Sequence, residues 1–195
     1  CDGYDFPRGM SAHAKGWMSA CAQLSDLAAC NATPDALAFS WMIPKGLNAR
    51  NITEIASGIR DCASYSNARV IGGDVNSGDK LVLTGAGVGH SRRLVSRRGA
   101  VQGDVLAVTG LLGASAAGYL ILKQGLRVQG GGKLVELFSY PLPRLKQMHV
   151  VSRLVHSATD LSDGLVIGAY NLCMDYGVAI DEKLIPYACG IERVG

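Results

Sequence analysis

Apolar positions along the chain switch between helical and strand spacing, and the switching predicts an alternating order of helices and strands. Residues 11–30 carry Trp17, Ala20, Cys21, Leu24, Leu27 and Ala28 at the spacing of one helix face. Asn31 follows as a left-handed C-cap. Ala36 to Ile43 is a short apolar run between Pro34 and Pro44, which predicts a buried strand. Asn51-Ile52-Thr53-Glu54 has the residues of a capping box and predicts a helix from there to about Ser66. Ala68 to Ile71 predicts a strand that stops at Gly72-Gly73, and Lys80 to Val88 predicts another.

A second block begins near Ser91. Gly103-Asp104 turns into a predicted strand, Val105 to Val108. A glycine-bounded turn, Gly110 to Gly113, precedes a helix of small residues, Ala114 to Gln124. Gly130-Gly131-Gly132 reads as a flexible loop or a break in the chain. Two further helices are predicted over Leu142 to His156 and Asp163 to Tyr176, the latter capped by Ser162 or Asp163. Val178 to Ile180 closes the series as a strand. No internal repeat or low-complexity tract appears.

Composition narrows the class. A chain of 195 residues makes one large domain or two small ones, and 48% hydrophobic with 18% charged residues suits a sizeable core. Net charge is only +3, from 19 basic and 16 acidic residues, which makes no case for a nucleic-acid partner. The basic cluster Arg92-Arg93 to Arg97-Arg98 is either a solvated loop or a contact for an anionic ligand. No apolar run is long enough to span a membrane and no signal peptide is visible. The six cysteines (1, 21, 30, 62, 173 and 189) form no CxxC pair, so zinc and thioredoxin-type chemistry are unsupported. Cys21, Cys30, Cys62 and Cys173 fall in helical apolar patterns, where free Cys acts as a small hydrophobe. The expected compartment is a reducing cytoplasm. The chain begins at Cys1 rather than Met and ends abruptly at Gly195, as a fragment or the ordered part of a longer protein would.

Three short acidic segments carry the candidate chemistry: Leu24-Ser25-Asp26-Leu27, Gly72-Gly73-Asp74 and Asp160-Leu161-Ser162-Asp163-Gly164. Each puts an Asp where a hydrophobic element gives way to a small or polar turn. Asp beside Ser or Gly is also ordinary turn and cap chemistry. Gathered by folding, such carboxylates suit a hard cation, and Mg²⁺ takes one or two carboxylates plus substrate phosphates. Glycine turns and helix N-termini present free N–H groups to phosphate. There is no GxxxxGK[ST] and no GxSxG. Gly85-Ala86-Gly87-Val88-Gly89 lacks the dinucleotide spacing. The four histidines, 13, 90, 149 and 156, are dispersed and read as structural, with His13 and Trp17 on one helical face.

The order of these segments resembles the thiamine-monophosphate kinase family, within the aminoimidazole ribonucleotide synthetase-like superfamily. The resemblance rests on His13-Ala-Lys-Gly16-Trp17, Leu24-Ser25-Asp26-Leu27-Ala28-Ala29, Pro34, Ile71-Gly-Gly-Asp74, Arg97-Arg98-Gly99-Ala100, Gly103-Asp104, Gly113-Ala-Ser115-Ala-Ala-Gly118 and, above all, Asp160-Leu-Ser-Asp-Gly-Leu165. It implies a two-domain α+β fold. Residues 1–90 would be an N-terminal domain for ATP, Mg²⁺ and dimerisation, with its start missing. Residues 91–195 would be an α/β C-terminal domain with its end missing.

The resemblance further implies ATP-dependent phosphorylation of thiamine monophosphate to thiamine diphosphate by a cytoplasmic homodimer. By its motifs, Asp2, Asp26, Asp74, Asp160 and Asp163 would hold Mg²⁺, with Asp74 and Asp163 catalytic. Gly72, Gly73, Arg97 and Ser162 would meet phosphates. Five positions depart from the family pattern: Gln23 for Asn, Val75 for Thr, Ala114 for Asp, and the pair Cys30-Asn31 for Met-Gly. Two alternatives stand beside this reading. One is another ATP-using enzyme of the superfamily, of the hydrogenase-maturation dehydratase or selenide water dikinase type. The other is a non-catalytic nucleotide-binding homologue.

Overall fold

The first helix starts where a hydroxyl can close it. Ser11 Oγ accepts from the Ala14 N–H at 3.2 Å, and α1 runs Ala12–Ala29. It ends at the expected Asn31, which takes a left-handed φ of 55° and donates its N–H to Ala28 O, while Ala32 N–H reaches Leu27 O. These positions belong to a computed structural model that describes residues 1–173 and 177–194.

Strand β1 (Thr33–Pro44) leads to helix α2 (Ala49–Tyr65), strand β2 (Arg69–Gly78) and strand β3 (Val82–His90). The sheet order is β2-β1-β3, with β1–β2 parallel across the α2 crossover and β1–β3 antiparallel. Leu37, Phe39 and Trp41 of β1 point to one face and are buried with Leu24, Ile55, Ile59 and Cys62 of the helices. Two glycine pairs set how closely the layers approach. A Cβ at Gly16 would lie 2.0 Å from Ile55 O, and one at Gly58 would lie 1.9 Å from His13 O. Gly85 and Gly87 make room for Gln23 and Leu27 of α1. The glycine alternation of β3 therefore serves helix packing, not a nucleotide.

The helix cap differs from the sequence expectation. Asn48, not Asn51, opens α2, its side-chain oxygen accepting from Asn51 N–H at 2.8 Å. The second strand also runs on through Gly72-Gly73 rather than stopping there. Leu37 pairs with Val70 but Ala38 pairs with Gly72, so Ile71 is an extra residue, a bulge in a parallel ladder.

In the second half, α3 (Ala114–Gln124) has the bounds expected, and it packs on a helix the sequence hid. Helix α4 (Gly131–Ser139) begins inside the triple glycine, with Gly130 at φ 77° as its cap. Weak helix propensity is outweighed there by burial of Leu134 and Phe138. Gly118 lies against Leu134 O, where a Cβ would come within 2.2 Å. Helix α5 (Leu145–Val151) is shorter than expected and α6 (Leu165–Leu172) starts two residues later. The expected end of that helix, Tyr176, lies outside the described residues. Residues 105–108 and 178–180 form no strand. Val105 is 88% exposed, and β propensity alone does not hold a strand without a paired, packed neighbour. Two apolar cores result, one spanning Phe6 to Leu81 with Phe138, the other built from α3, α4 and Ala188.

The two halves meet at Trp17. Its Nε1–H donates to Pro141 O at 2.7 Å, and its ring packs edge-on against Tyr140. His13, on the same face, binds Asp61 of α2 at 3.0 Å. That hydrogen bond, foremost, holds the Asp61 carboxyl below its ordinary 3.8. A depressed carboxyl contributes stability above its unfolded pKa and loses it as pH falls through the folded one. The melting temperature of Asp61→Asn is therefore expected below wild type at pH 7, with the gap closing below the ordinary carboxylate range. A gap independent of pH would remove the ionised carboxylate from the account.

All six cysteines are free. Cys21 and Cys62 are buried side by side between α1 and α2, and the Cys21 thiol together with burial pushes Cys62 up. Cys30, expected in an apolar pattern, is exposed at the end of α1.

Candidate active site

The end of α1 is tied to two stretches far away in sequence. Ser91 Oγ donates to Asn31 O at 2.7 Å, Asn31 Nδ2 donates to Arg93 O at 2.8 Å, and Val95 N–H donates to Cys30 O. Val95 is buried beneath this contact. The same loop then lies along residues 152–160. Arg93 Nε donates to Ser152 O at 3.1 Å, and Ala158 N–H donates to Ser96 O at 3.1 Å. Gly99 passes so near His156 O that a Cβ would stand 2.7 Å from it. His156 Nδ1 meets the Asp104 carboxylate at 2.9 Å. The Val101 N–H, first, and then His156 hold Asp104 below the usual carboxylate value.

This three-way packing brings Asp160 and Arg97 within electrostatic range of Asp26. Partial burial pushes the Asp26 carboxyl up, the Asp160 charge pushes it further, and Arg97 pulls it back. A like charge nearby disfavours the ionised form of Asp26, and an opposite charge favours it. Carboxylate oxygens are the donor type that a hard divalent cation takes. Among the described residues, no three His, Cys, Asp or Glu side chains converge into a cation-holding group.

The other expected ligands stand apart from this pair. Asp74 lies in β2 opposite Ser40, on the sheet face away from the helices. The Ile71 bulge puts it there. An unbroken register would have paired it with Trp41 on the covered face. Its two carboxylate oxygens accept from Val75 N–H at 2.9 Å and Asn76 Nδ2 at 2.7 Å. Gly72 has φ 123°, and a Cβ at Gly73 would stand 1.7 Å from Phe39 O, so both positions require glycine. Asp2 is ion-paired with Lys15 at 2.7 Å. Ser162 and Asp163 lie exposed in a turn closed by Gly164 N–H to Leu161 O. Gly164 caps α6 without any side-chain hydrogen bond, so neither Ser162 nor Asp163 is the cap expected.

Sequence reasoning did not single out Asn31 as an anchor or Asp104–His156 as a pair. The Asn31 cap signal was visible, but its second bond to the 91–95 loop is a tertiary contact that no local spacing announces.

The N-terminal domain of AIR synthase related proteins matches residues 2–91. Thiamine-monophosphate kinase of Halobacterium salinarum is 31% identical over 195 residues, covering 99% of this chain and 66% of the relative. The chain is similar to thiamine-monophosphate kinases over nearly all of its length. The structure of AaThiL complexed with AMPPCP and TMP superposes with a TM-score of 0.90 at 25% identity, covering 99% of this chain and 68% of that one. Escherichia coli HypE, a hydrogenase maturation protein, shares the fold at 20% identity and a TM-score of 0.79, over 91% of this chain and 57% of that one. The chain spans 54–66% of the length of the curated thiamine-monophosphate kinases it matches. No helix among the described residues is long and apolar enough to cross a membrane.

Proposed function

We propose that this chain phosphorylates thiamine monophosphate to thiamine diphosphate at the expense of ATP. The observation that carries the reading is the likeness to thiamine-monophosphate kinases over 99% of the chain, with Asp160 and Arg97 of two distant segments in electrostatic range of Asp26. Phosphoryl transfer asks a protein mainly for positioning and charge neutralisation. Asp26, Asp160 and Asp163 would hold Mg²⁺; Asp74, on the other face of the sheet, would serve a separate ion, and Asp2 would join on release from Lys15. Bound there, Mg²⁺ would neutralise the triphosphate as charge shifts to the leaving group. Arg97 orients a phosphate oxygen through its planar donors. Gly72 and Gly73 offer backbone approach without side chains, and Ser162 offers a hydroxyl.

Two further expectations belong to the same proposal. One is a cytoplasmic location. The other is a homodimer. Strand β2 is exposed almost throughout, and Met42 and Val88 lie uncovered on the sheet face opposite the helices. Light scattering at micromolar concentration is expected to give the mass of two chains.

The test of function is a product assay with ATP, Mg²⁺ and thiamine monophosphate beside a panel of other acceptors. Thiamine diphosphate is the expected product. No phosphate from γ-labelled ATP should remain on the denatured protein, since transfer is direct. A labelled protein band, or preference for another acceptor, would contradict the reading.

Asp163→Ser separates ligand from turn residue. The carboxylate caps nothing, so melting temperature should hold. Turnover should fall by about tenfold or more with a raised Mg²⁺ requirement, the scale of losses when metal-site partners are removed. Normal activity at ordinary Mg²⁺ would take Asp163 out of the site.

A further inference from the structure

The loop that delivers Arg97 carries more positive charge than the candidate site uses. Arg92, Arg93, Arg97 and Arg98 are all exposed, and Arg153 stands exposed on the segment bonded alongside. Three contacts hold the two segments together: Arg93 Nε to Ser152 O, Ala158 N–H to Ser96 O, and Gly99 against His156 O. Their backbones are thus fixed side by side, and the charge is presented on a built edge.

One acid sits on this edge, Asp104, and its carboxylate is taken by His156. Arg97 lies within electrostatic range of the Asp26 carboxylate. Among the described residues, none of Arg92, Arg93, Arg98 and Arg153 makes an ion pair. Elsewhere Arg50 and Lys133 pair with Glu54 and Glu136 on their own helices. A chain with 19 basic and 16 acidic residues has acids enough to spread, yet residues 91–98 contain none. Crowded like charges raise the free energy of the unliganded surface, and an anion recovers it. Guanidinium forks match phosphate oxygens in geometry and are more weakly hydrated than ammonium groups.

We propose that Arg92, Arg93, Arg98 and Arg153 form an anion-binding rim, beside the nucleotide site and distinct from it, that takes an oligophosphate chain. Arg93 is held by its Nε–H bond to Ser152 O, which leaves its terminal nitrogens to the ligand. The rim stands on charge and backbone geometry alone and does not depend on which acceptor the enzyme uses.

Inorganic tripolyphosphate is the probe, and calorimetry the measurement, with Mg²⁺ and AMPPCP present at saturation. Wild type is expected to bind tripolyphosphate under these conditions, more weakly as salt rises. Arg98→Gln with Arg153→Gln should weaken binding by about tenfold or more, since each lost charge-assisted hydrogen bond is large on that scale. Arg50→Gln with Lys133→Gln removes the same charge from ion-paired sites and should change binding less than about twofold. Arg92→Gln with Arg98→Gln is a second variant, confined to the exposed loop, should the first fail to fold. Four results would overturn the proposal: no binding by wild type, displacement by AMPPCP, equal losses in the control pair, or tighter binding of a single-stranded oligonucleotide than of tripolyphosphate.

Discussion

Asp26→Asn is expected to lower turnover by about two orders of magnitude or more while its melting temperature holds or rises. The two halves of that result have separate causes. Asp26 lies partly buried against the Asp160 charge, so its ionised form is held at a cost when no cation is present. An amide of nearly the same shape removes the repulsion from Asp160. The same change removes a negative oxygen from the place proposed for Mg²⁺. Hard cations prefer charged oxygen donors, and the lost stabilisation falls on the transferring phosphate. A side chain that merely supported the fold would lose both properties together. Steady-state kinetics across a Mg²⁺ titration, with thermal melts on the same samples, separate the cases. An active Asp26→Asn protein would remove the pair from the chemistry.

Gly58→Val should leave little folded protein, and Gly58→Ala should already be severely unstable. The added Cβ would stand 1.9 Å from His13 O and 2.8 Å from Trp17 N, both backbone atoms that cannot rotate away. Alanine gains about 1 kcal/mol over glycine in a helix interior. Overpacking against fixed backbone costs about 3 kcal/mol or more, so the penalty wins. The loss is large against the ~5–15 kcal/mol that holds a typical domain. Gly16→Ala should behave alike, because its Cβ would meet Ile55 O at 2.0 Å. Chemical denaturation of both alanine variants checks this, and a midpoint near wild type would mean that the α1–α2 crossing is looser than the geometry states.

The long amphipathic elements were legible in the sequence because each buries a periodic face. Helices α1, α2 and α3 and the strands β1 and β3 follow directly from Leu24, Ile59, Ile121, Leu37 and their neighbours. Helix α4 was hidden because Gly130-Gly131-Gly132 signals a loop, while the burial of Leu134 and Phe138 that holds it is tertiary. Residues 105–108 misled in the opposite sense: β-branched residues with nothing to pair with. The acidic segments of the site were visible one by one. The resemblance gathered them into one site, but the contacts that bring Asp160 near Asp26 were silent, since they depend on Asn31 anchoring the 91–95 loop and on that loop lying along residues 152–160. The bulge at Ile71, which decides the face Asp74 takes, was equally silent, because a register shift belongs to two strands and not to one.

The most direct test of the Asp26–Asp160 metal pair is Mn²⁺ binding followed by electron paramagnetic resonance in the presence of AMPPCP. Mn²⁺ is chosen as a hard, oxygen-preferring stand-in for Mg²⁺. The account predicts that wild type takes up Mn²⁺ with nucleotide, and that Asp26→Asn with Asp160→Asn, folded by its thermal melt, loses about tenfold or more in affinity. Equal Mn²⁺ affinity in the two proteins would contradict it.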